Sequence, residues 1–356
     1  MPYLTDMFHE QNRHRATDTG PAGSAGTAAE GDAHDRSPSA VAARLRSRVL
    51  GQDDAVAAVV RAVTLARAGA HEKDRPLANL LLVGPTGVGK TELVRRVAAE
   101  LRSGPDDLCR VDMSALAQEH YAASFSGAPP GYAGSKEAFS VFDRSTVEGD
   151  PYTPGLVLFD EVEKAHPTVL RALLHVLDTG VLRLASGQQT ISFRNSFVFL
   201  TSNLGSAELA RRRASRWRWL ASGRERAVVS RAVTAFFDPE FLNRIDEVVE
   251  FAELDAGTAL AITRLEIGSL RRRLRGRGVR LDLADEAVRW LARRGFDPVY
   301  GARALRRCLR VELAAPVAAE VLRVRPEGTG PVRVTVQVSG DRLTAVAHPV
   351  EAGPRS

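Results

Sequence analysis

Residues 84–91 read Gly-Pro-Thr-Gly-Val-Gly-Lys-Thr, which fits the phosphate-binding pattern G-x-x-x-x-G-K-[ST]. An apolar run at 80–83 predicts a buried strand entering this loop, and Leu93, Val97 and Leu101 predict a helix leaving it. Glycines let backbone N–H groups turn towards a phosphate chain, and the helix N-terminus adds positive potential. A chance glycine-rich turn is the alternative, but the strand and helix around the loop favour a nucleoside triphosphate site.

Two side chains of this loop carry the expected chemistry. Lys90 is predicted to reach the β- and γ-phosphates, and the Thr91 hydroxyl is predicted to be a Mg²⁺ ligand. The remaining predicted nucleotide contacts in and just after the loop are Gly84, Pro85, Thr86, Gly87, Val88, Gly89 and Glu92.

The composition is that of a globular protein long enough for two domains, with 356 residues of which 44% are hydrophobic. No apolar run approaches the ~18 residues of a membrane span, and the polar N-terminus does not resemble a signal peptide. Only Cys109 and Cys308 are present, so a disulfide framework is excluded. We therefore expect a cytoplasmic protein that does not enter a membrane.

The formal net charge is +6 and comes largely from arginine. A basic balance can indicate nucleic-acid binding. It can equally reflect a GC-rich genome that encodes arginine readily, and this alternative is favoured because the basic residues are dispersed along the chain rather than arranged in one stripe.

The order of the predicted elements indicates the fold class. Residues 1–38 contain few apolar residues and are predicted to be a disordered tail. Strands that alternate with helices predict a parallel, three-layer α/β sheet over residues 39–252, its strands lying at 80–83, 108–111, 155–159, 196–201 and 248–251. A smaller, mostly helical subdomain is predicted over 253–348, with a tail at 349–356. Its expected elements are helices at 256–275, 284–294 and 302–324 and a closing hairpin of 332–338 with 343–347.

Asp160 and Glu161 directly follow the third predicted strand. Ligands of open α/β sheets bind outside the carboxyl ends of the strands, so both acids are expected beside the phosphate loop. Asp160 is predicted to hold Mg²⁺, and Glu161 to polarise the attacking water as a general base. Asn203 follows the fourth predicted strand and offers an amide that could orient the same water.

Seven strings, in this order, resemble the second ATPase module of Clp-type AAA+ unfoldases, closest to ClpB. They are VLGQD (49–53), GPTGVGKTEL (84–93), GAPPGYAG (127–134), LFDEVEKAHP (158–167), TSNLGS (201–206), FLNRIDEVV (241–249) and GARALRR (301–307). The resemblance implies an AAA+ P-loop fold with a C-terminal subdomain, ATP and Mg²⁺ as cofactors, and ATP hydrolysis.

The resemblance also implies roles for individual residues. Val49 and Leu50 would line the adenine pocket, and Arg303 would contact nucleotide from the C-terminal subdomain. Arg244 would be an arginine finger that acts in the neighbouring subunit's site, which implies a homo-hexameric ring. Tyr132 would be the pore-loop aromatic that grips unfolded or aggregated protein, because a ring packs against any polypeptide without sequence preference.

The chain also departs from the family pattern after Asn203. The loop after Asn203 lacks the Ile-Gly-Phe or Ile-Gly-Leu tripeptide with which protease-coupled relatives dock their peptidase. It holds instead five arginines and two tryptophans between residues 211 and 219, which could stack on single-stranded nucleic acid, but a subunit interface or a solvated helix face is the favoured interpretation. One alternative to a protein unfoldase is a nucleic-acid-remodelling motor, which the basic charge and this stretch favour and the string GYAG opposes. Another is an ATP-switched assembly factor with slow turnover.

Overall fold

The computed structural model describes residues 35, 37–118, 125, 142–150, 152–183, 190–206, 208–209, 225–297, 301–325 and 330–350. Tyr132, the segment 211–219 and nearly all of the predicted N-terminal tail lie outside these residues. Ser37 and Pro38 were expected in that tail but start the first helix. The Ser37 hydroxyl accepts the backbone N–H of Ala40 at 3.3 Å, and Pro38 sits in the first turn, where its missing N–H costs nothing.

The first part of the chain alternates strands with helices. Its helices are α1 Pro38–Arg46, α2 Asp53–Arg67, α3 Lys90–Leu101, α4 Arg144–Glu148, α5 Pro167–Thr179, α6 Glu225–Phe236 and α7 Pro239–Leu242. Its strands are β1 Ala78–Val83, β2 Cys109–Asp112, β3 Gly155–Asp160, β4 Val181–Arg183, β5 Thr190–Ser192, β6 Ser196–Ser202 and β7 Glu247–Glu250. Sequence did not predict the antiparallel pair β4–β5, because three-residue strands are too short to show a period.

Five strands form one parallel sheet in the order β2-β3-β6-β1-β7, which confirms the predicted α/β sheet. In the register, Val83 at the end of β1 lies beside Ser202 of β6 and Glu250 of β7. Because all strands run the same way, the loops that follow β1, β3 and β6 leave from one edge of the sheet. This edge brings the phosphate loop, the acid pair and Asn203 together.

Both faces of the sheet are buried, as expected for parallel strands with almost continuous apolar runs. On one face, Leu80 and Leu82 of β1 pack with α1, α2 and α3. On the other face, Leu81 and Val83 pack with α5 and α6. This sandwich fixes the strand ends that carry the site.

The C-terminal part has its own core. Its elements are α8 Ala256–Arg275, β8 Val279–Leu283, α9 Asp285–Gly295, α10 Gly301–Cys308, a π-helix Leu309–Ala314, α11 Ala315–Val324, β9 Val332–Ser339 and β10 Arg342–Pro349. The expected hairpin is β9–β10, but β9 also pairs in parallel with β8, giving the sheet order β10-β9-β8. The sequence analysis did not predict β8, because this strand has only five residues and lies between two helices. The division of the chain at 252/253 stays a prediction.

The predicted helix at 302–324 is interrupted by the π-helix between α10 and α11. Pro316 lies in the first turn of α11. Its ring has no N–H to donate to an earlier carbonyl and crowds the preceding turn, so the helix widens locally before it. The helix therefore continues past Pro316 instead of stopping there.

Candidate active site

The phosphate loop joins the end of β1 to the start of α3. Gly84 has φ +143°, and a Cβ at this position would lie 2.7 Å from the backbone oxygen of Phe251. Gly89 has φ +111°, which side-chain-bearing residues rarely adopt. The glycines are therefore required for the loop to turn sharply and lie close to its neighbours, leaving a concave backbone at the N-terminus of α3.

Lys90 is buried, with 7% of its surface exposed. Its Nζ donates to the carbonyl oxygens of Gly84 at 2.6 Å and Pro85 at 2.7 Å, and to Oδ1 of Asn203 at 3.0 Å. Burial lowers the pKa of Lys90 to about 8, although the carboxylates of Glu163 and Asp160 act in the opposite direction. Because burial makes the charged form of Lys90 costly, a bound anion beside its Nζ would stabilise that form. The surroundings of Lys90 therefore fit a phosphate group.

Asp160 ends β3 and is also buried. The Thr201 hydroxyl donates to its Oδ1, and Arg110 donates to its Oδ2 at 2.5 Å. The same Thr201 oxygen accepts the backbone N–H of Glu161 at 3.0 Å. Thr201 therefore positions both acids, a role that no sequence motif had indicated. The carboxylate of Asp160 and the Thr91 hydroxyl are oxygen donors of the kind Mg²⁺ prefers.

Glu161 has φ +59°, in the left-handed region that few residues other than glycine adopt. Its Oε2 is ion-paired with Nζ of Lys164, and its Oε1 accepts from Nδ2 of Asn203 at 3.4 Å. The backbone N–H of Asn203 donates to Oε1 of Glu163 at 3.0 Å. Asn203 thus contacts both Lys90 and Glu161, and its role in orienting the attacking water stays a prediction. Lys164 and Glu163 are additions that sequence reasoning missed.

A cavity of about 550 Å³ lies beside these groups. Its lining includes all the predicted nucleotide contacts except Gly84 and Pro85: Val49, Leu50, Thr86, Gly87, Val88, Gly89, Lys90, Thr91, Glu92, Asp160 and Arg303, together with Glu161 and Asn203. Arg48, Arg110, Ile262 and Arg306 also line it and were not predicted. The volume falls in the range of small-molecule sites.

The C-terminal part closes one side of this cavity. The backbone N–H of Ala302 donates to the carbonyl oxygen of Gly87 in the phosphate loop at 2.9 Å. Arg306 pairs with Glu266 at 2.7 Å and with Glu92 at 3.5 Å. The Glu92 carboxylate also pairs with Arg96 at 2.6 Å, so it faces arginines within the cavity lining.

Of the three described residues predicted to be catalytic, Arg244 is the one that the structure does not bring to the cavity. Its carbonyl oxygen accepts from Nδ2 of Asn79 near the start of β1, while the phosphate loop follows the end of β1. Strands rise ~3.3 Å per residue, so about 15 Å separates these two ends. The Arg244 guanidinium pairs with Asp178 at 3.0 Å.

Tyr132 lies outside the described residues. Within the described part of the chain, no group of three or more His, Cys, Asp or Glu side chains could hold a metal ion. Among the same described residues, none of the helices has both the length and the apolar character of a membrane-spanning segment.

Two family models match this chain in succession. One, described as an AAA domain (Cdc48 subfamily), covers residues 75–248. The other, described as the C-terminal, D2-small domain of ClpB protein, covers residues 254–334.

Three known proteins illustrate the similarity. An ATP-dependent protease ATP-binding subunit-like protein of Rhodococcus erythropolis is 60% identical over 98% of this chain and 100% of that protein. The chaperone ClpB of Meiothermus ruber is 40% identical over 85% of this chain, which spans only 35% of ClpB. A cryo-EM structure of Hsp104 with ATPγS and FITC casein superposes with a TM-score of 0.76 at 32% identity, covering 89% of this chain and 52% of that one. The chain belongs to the Clp-type AAA+ family and is similar to the second ATPase module of ClpB with its C-terminal subdomain.

Proposed function

We propose that this chain hydrolyses ATP in the cavity beside the phosphate loop and uses the energy to thread or remodel protein substrates in a homo-hexameric ring. The observation that carries the hydrolytic part is the position of Asn203. Its side chain accepts from Lys90 at 3.0 Å and donates to Glu161 at 3.4 Å. The phosphate-binding lysine and the proposed base thus share one amide.

Binding of the triphosphate falls to the loop and its neighbours. Lys90 and the backbone of the loop hold the phosphates, and Val49 and Leu50 contact the adenine. Arg303 approaches the phosphates from α10; its charge lies close enough to Lys90 to help lower the pKa of that lysine. Thr91 and Asp160 hold Mg²⁺, which neutralises phosphate charge when it is bound.

Glu161 acts as the general base in this proposal. The left-handed backbone of Glu161 and the hydrogen bond from its N–H to the Thr201 hydroxyl position the base of its side chain at the edge of the cavity. Asn203 orients the attacking water, because its amide can donate to and accept from neighbours at the same time. A base within reach of the water contributes typically ~10²–10⁴-fold in rate.

The proposal of a ring of subunits is based on the position of Arg244. With its backbone anchored at the opposite end of β1, this guanidinium is poorly placed to reach phosphates in its own cavity. We assign it to the site of an adjacent subunit, where a cation stabilises charge on the transferring phosphate. The hexamer is the ring size that the family resemblance implies.

The substrate assignment rests on Tyr132 and on the relatives. Proteins similar to this chain are named as chaperones, and the superposed Hsp104 structure contains FITC casein. We assign Tyr132 to the gripping of polypeptide in the pore, because an aromatic ring packs against unlike side chains without selecting among them.

Replacement of Glu161 by glutamine tests the hydrolytic part. The variant is expected to bind ATP normally and lose ~10²–10⁴-fold in turnover. Glu100→Gln is the matched control, because Glu100 is a half-buried carboxylate that pairs with Arg44 at 2.7 Å away from the cavity. Wild-type turnover in Glu161→Gln would contradict the assignment of the base.

Stimulation of ATP hydrolysis by an unfolded protein and by single-stranded DNA tests the substrate class. We expect stimulation by the protein, its loss in Tyr132→Ala, and its retention in Tyr132→Phe, since the ring and not the hydroxyl makes the gripping contact. Stimulation by DNA alone, steeply dependent on salt and indifferent to Tyr132, would favour the nucleic-acid motor instead. Slow turnover that neither polymer changes would favour the assembly factor.

A further inference from the structure

The carboxylate of Asp160 is bonded on both oxygens by side chains of this protein. Thr201 donates to Oδ1, and the guanidinium of Arg110 donates to Oδ2 at 2.5 Å. The side chain of Asp160 is 10% exposed and that of Arg110 is 55% exposed. The arginine therefore reaches inwards from the cavity surface to a nearly buried carboxylate.

The strand register explains why Arg110 makes this contact. Arg110 of β2 lies opposite Leu158 of β3, and Asp112 lies opposite Asp160. Side chains at alternate positions of a strand share a face, so Arg110, Leu158 and Asp160 point to the same side of the sheet. The nearer residue, Asp112, is itself acidic and accepts from the backbone and hydroxyl of Ser114 at 3.0 and 2.6 Å. Arg110 is thus the cation that the sheet directs to Asp160.

We propose that Arg110 is a positioning residue that competes with Mg²⁺ for Asp160; this inference rests on the proposed Mg-ATP site. A nearly buried carboxylate is costly without a positive partner. Arg110 supplies that charge and holds the carboxylate towards the cavity. An oxygen that accepts a guanidinium N–H at 2.5 Å binds a divalent cation less tightly, because the two positive groups repel each other.

The exposure of the two partners makes the exchange feasible. Because more than half of the Arg110 side chain faces solvent, its head can move into water when the metal ion arrives. The Thr201 contact on the other oxygen can persist, so the carboxylate keeps its orientation during the exchange. The cost of releasing Arg110 then sets how much Mg²⁺ the site requires.

The test measures binding, so that it does not depend on hydrolysis. Mg²⁺ is titrated into the full chain with a fluorescent, slowly hydrolysed ATP analogue at fixed concentration, for the wild type, Arg110→Ala and Arg110→Lys. Arg110→Ala should lower the Mg²⁺ midpoint roughly two- to fivefold, which corresponds to about 0.4–1 kcal/mol for a partly exposed ion pair. The Mg²⁺ midpoint of Arg110→Lys should lie between those of the wild type and Arg110→Ala, because an ammonium keeps the charge but loses the planar fork of the guanidinium.

Arg61→Ala is the matched control. Arg61 is 56% exposed and pairs with Glu247 at 2.6 Å, close to the values for Arg110, but it does not line the cavity. Its variant should leave the Mg²⁺ midpoint unchanged. At saturating Mg²⁺, Arg110→Ala should bind the analogue as tightly as the wild type, since Arg110 has by then left Asp160.

Three results would overturn the inference. A weaker analogue affinity of Arg110→Ala at saturating Mg²⁺ would make Arg110 a nucleotide ligand. An unchanged midpoint with a lowered Tm would make the ion pair purely structural. Absence of Mg²⁺-dependent binding in the wild type would instead contradict the proposed function itself, and the inference with it.

Discussion

The backbone N–H of Ala302 donates a hydrogen bond of 2.9 Å to the carbonyl oxygen of Gly87. This contact ties the start of α10 directly to the phosphate loop. Gly301, the residue before it, has φ +52°, and a Cβ there would lie 2.7 Å from the Gly87 oxygen. The shape of the phosphate loop and the position of the C-terminal part are therefore coupled through one tightly packed glycine.

Gly301→Ala should weaken ATP binding. The added methyl group collides with the Gly87 carbonyl and has to displace either the loop or α10. The left-handed backbone also costs about 1–2 kcal/mol for a residue other than glycine. We expect at least a roughly fivefold loss of ATP affinity, which corresponds to about 1 kcal/mol, measured by calorimetry.

Gly340→Ala separates collision from backbone strain. Gly340 has φ +62° in the β9–β10 turn, and a Cβ there meets nothing within 4 Å. This control should lose stability from strain alone and keep the wild-type ATP affinity. Equal ATP affinities for the two variants would show that the Gly301 contact does not influence the loop.

Thr201→Val should impair hydrolysis by disturbing both acids. Valine keeps the shape of threonine but removes the hydroxyl that donates to Asp160 and accepts from the N–H of Glu161. Leaving a buried polar group without its partner costs about 1–3 kcal/mol, which we expect as a lower free energy of unfolding. The turnover number should fall at least roughly tenfold, because each 1.36 kcal/mol at the barrier is a factor of ten.

Thr263→Val is the matched control for that substitution. Thr263 is fully buried in α8, and its hydroxyl donates to the Ala259 carbonyl at 2.8 Å. This variant should change stability without changing turnover. If Thr201→Val retained full turnover while both proteins stayed folded, Thr201 would not position the acids.

ATP binding should take up a proton above pH 8. Burial lowers the pKa of Lys90 to about 8, so the amine is largely neutral in the free protein at pH 9. Phosphate charge beside the amine raises that pKa, and binding must then be accompanied by protonation. Affinity should fall by up to about tenfold per pH unit above 8.

Calorimetry in two buffers of different ionisation enthalpy measures this uptake. At pH 9 the apparent binding enthalpy should depend on the buffer, with uptake approaching about one proton. At pH 7 Lys90 is charged before and after binding, so its contribution should vanish. Buffer-independent enthalpy at pH 9 would mean that Lys90 is already charged in the free protein.

Mixing variants tests whether Arg244 acts between subunits. Arg244→Ala and Lys90→Ala should each be inactive alone, with losses of ~10³-fold or more for an arginine finger. In mixed rings, an intact loop of the first variant can meet an intact Arg244 of the second, so activity should return. The measurement is ATP turnover against mixing ratio, with co-assembly followed by light scattering.

The control mixture combines Lys90→Ala with Glu161→Gln. Both substitutions damage the cavity of the subunit that carries them, so no arrangement of these two variants restores a complete site. Equal rescue in both mixtures, or none in the Arg244 mixture despite co-assembly, would contradict action across the interface.

The grouping of several residues of the candidate site could be predicted from the sequence, because these residues lie at or after the ends of strands of one parallel sheet. Asp160 ends β3, Asn203 follows β6 and Lys90 follows the loop after β1, and parallel strands bring their carboxyl ends to one edge. The contacts of Arg110 and Thr201 with Asp160 could not be predicted in this way. Both residues lie within their strands, where a polar side chain in a short motif gives no indication of its partner.

The sequence by itself determined the parallel α/β architecture, the glycine-rich turn at 84–91 and the position of the acid pair at the end of β3, because period, glycines and strand ends are local properties of the chain. Only the tertiary structure decided that β8 joins the terminal hairpin, that Gly301 packs on Gly87, and that Arg110 holds Asp160. Those contacts join residues far apart in the chain. Their geometry depends on how two cores and a strand register come together in space, and no local pattern encodes it.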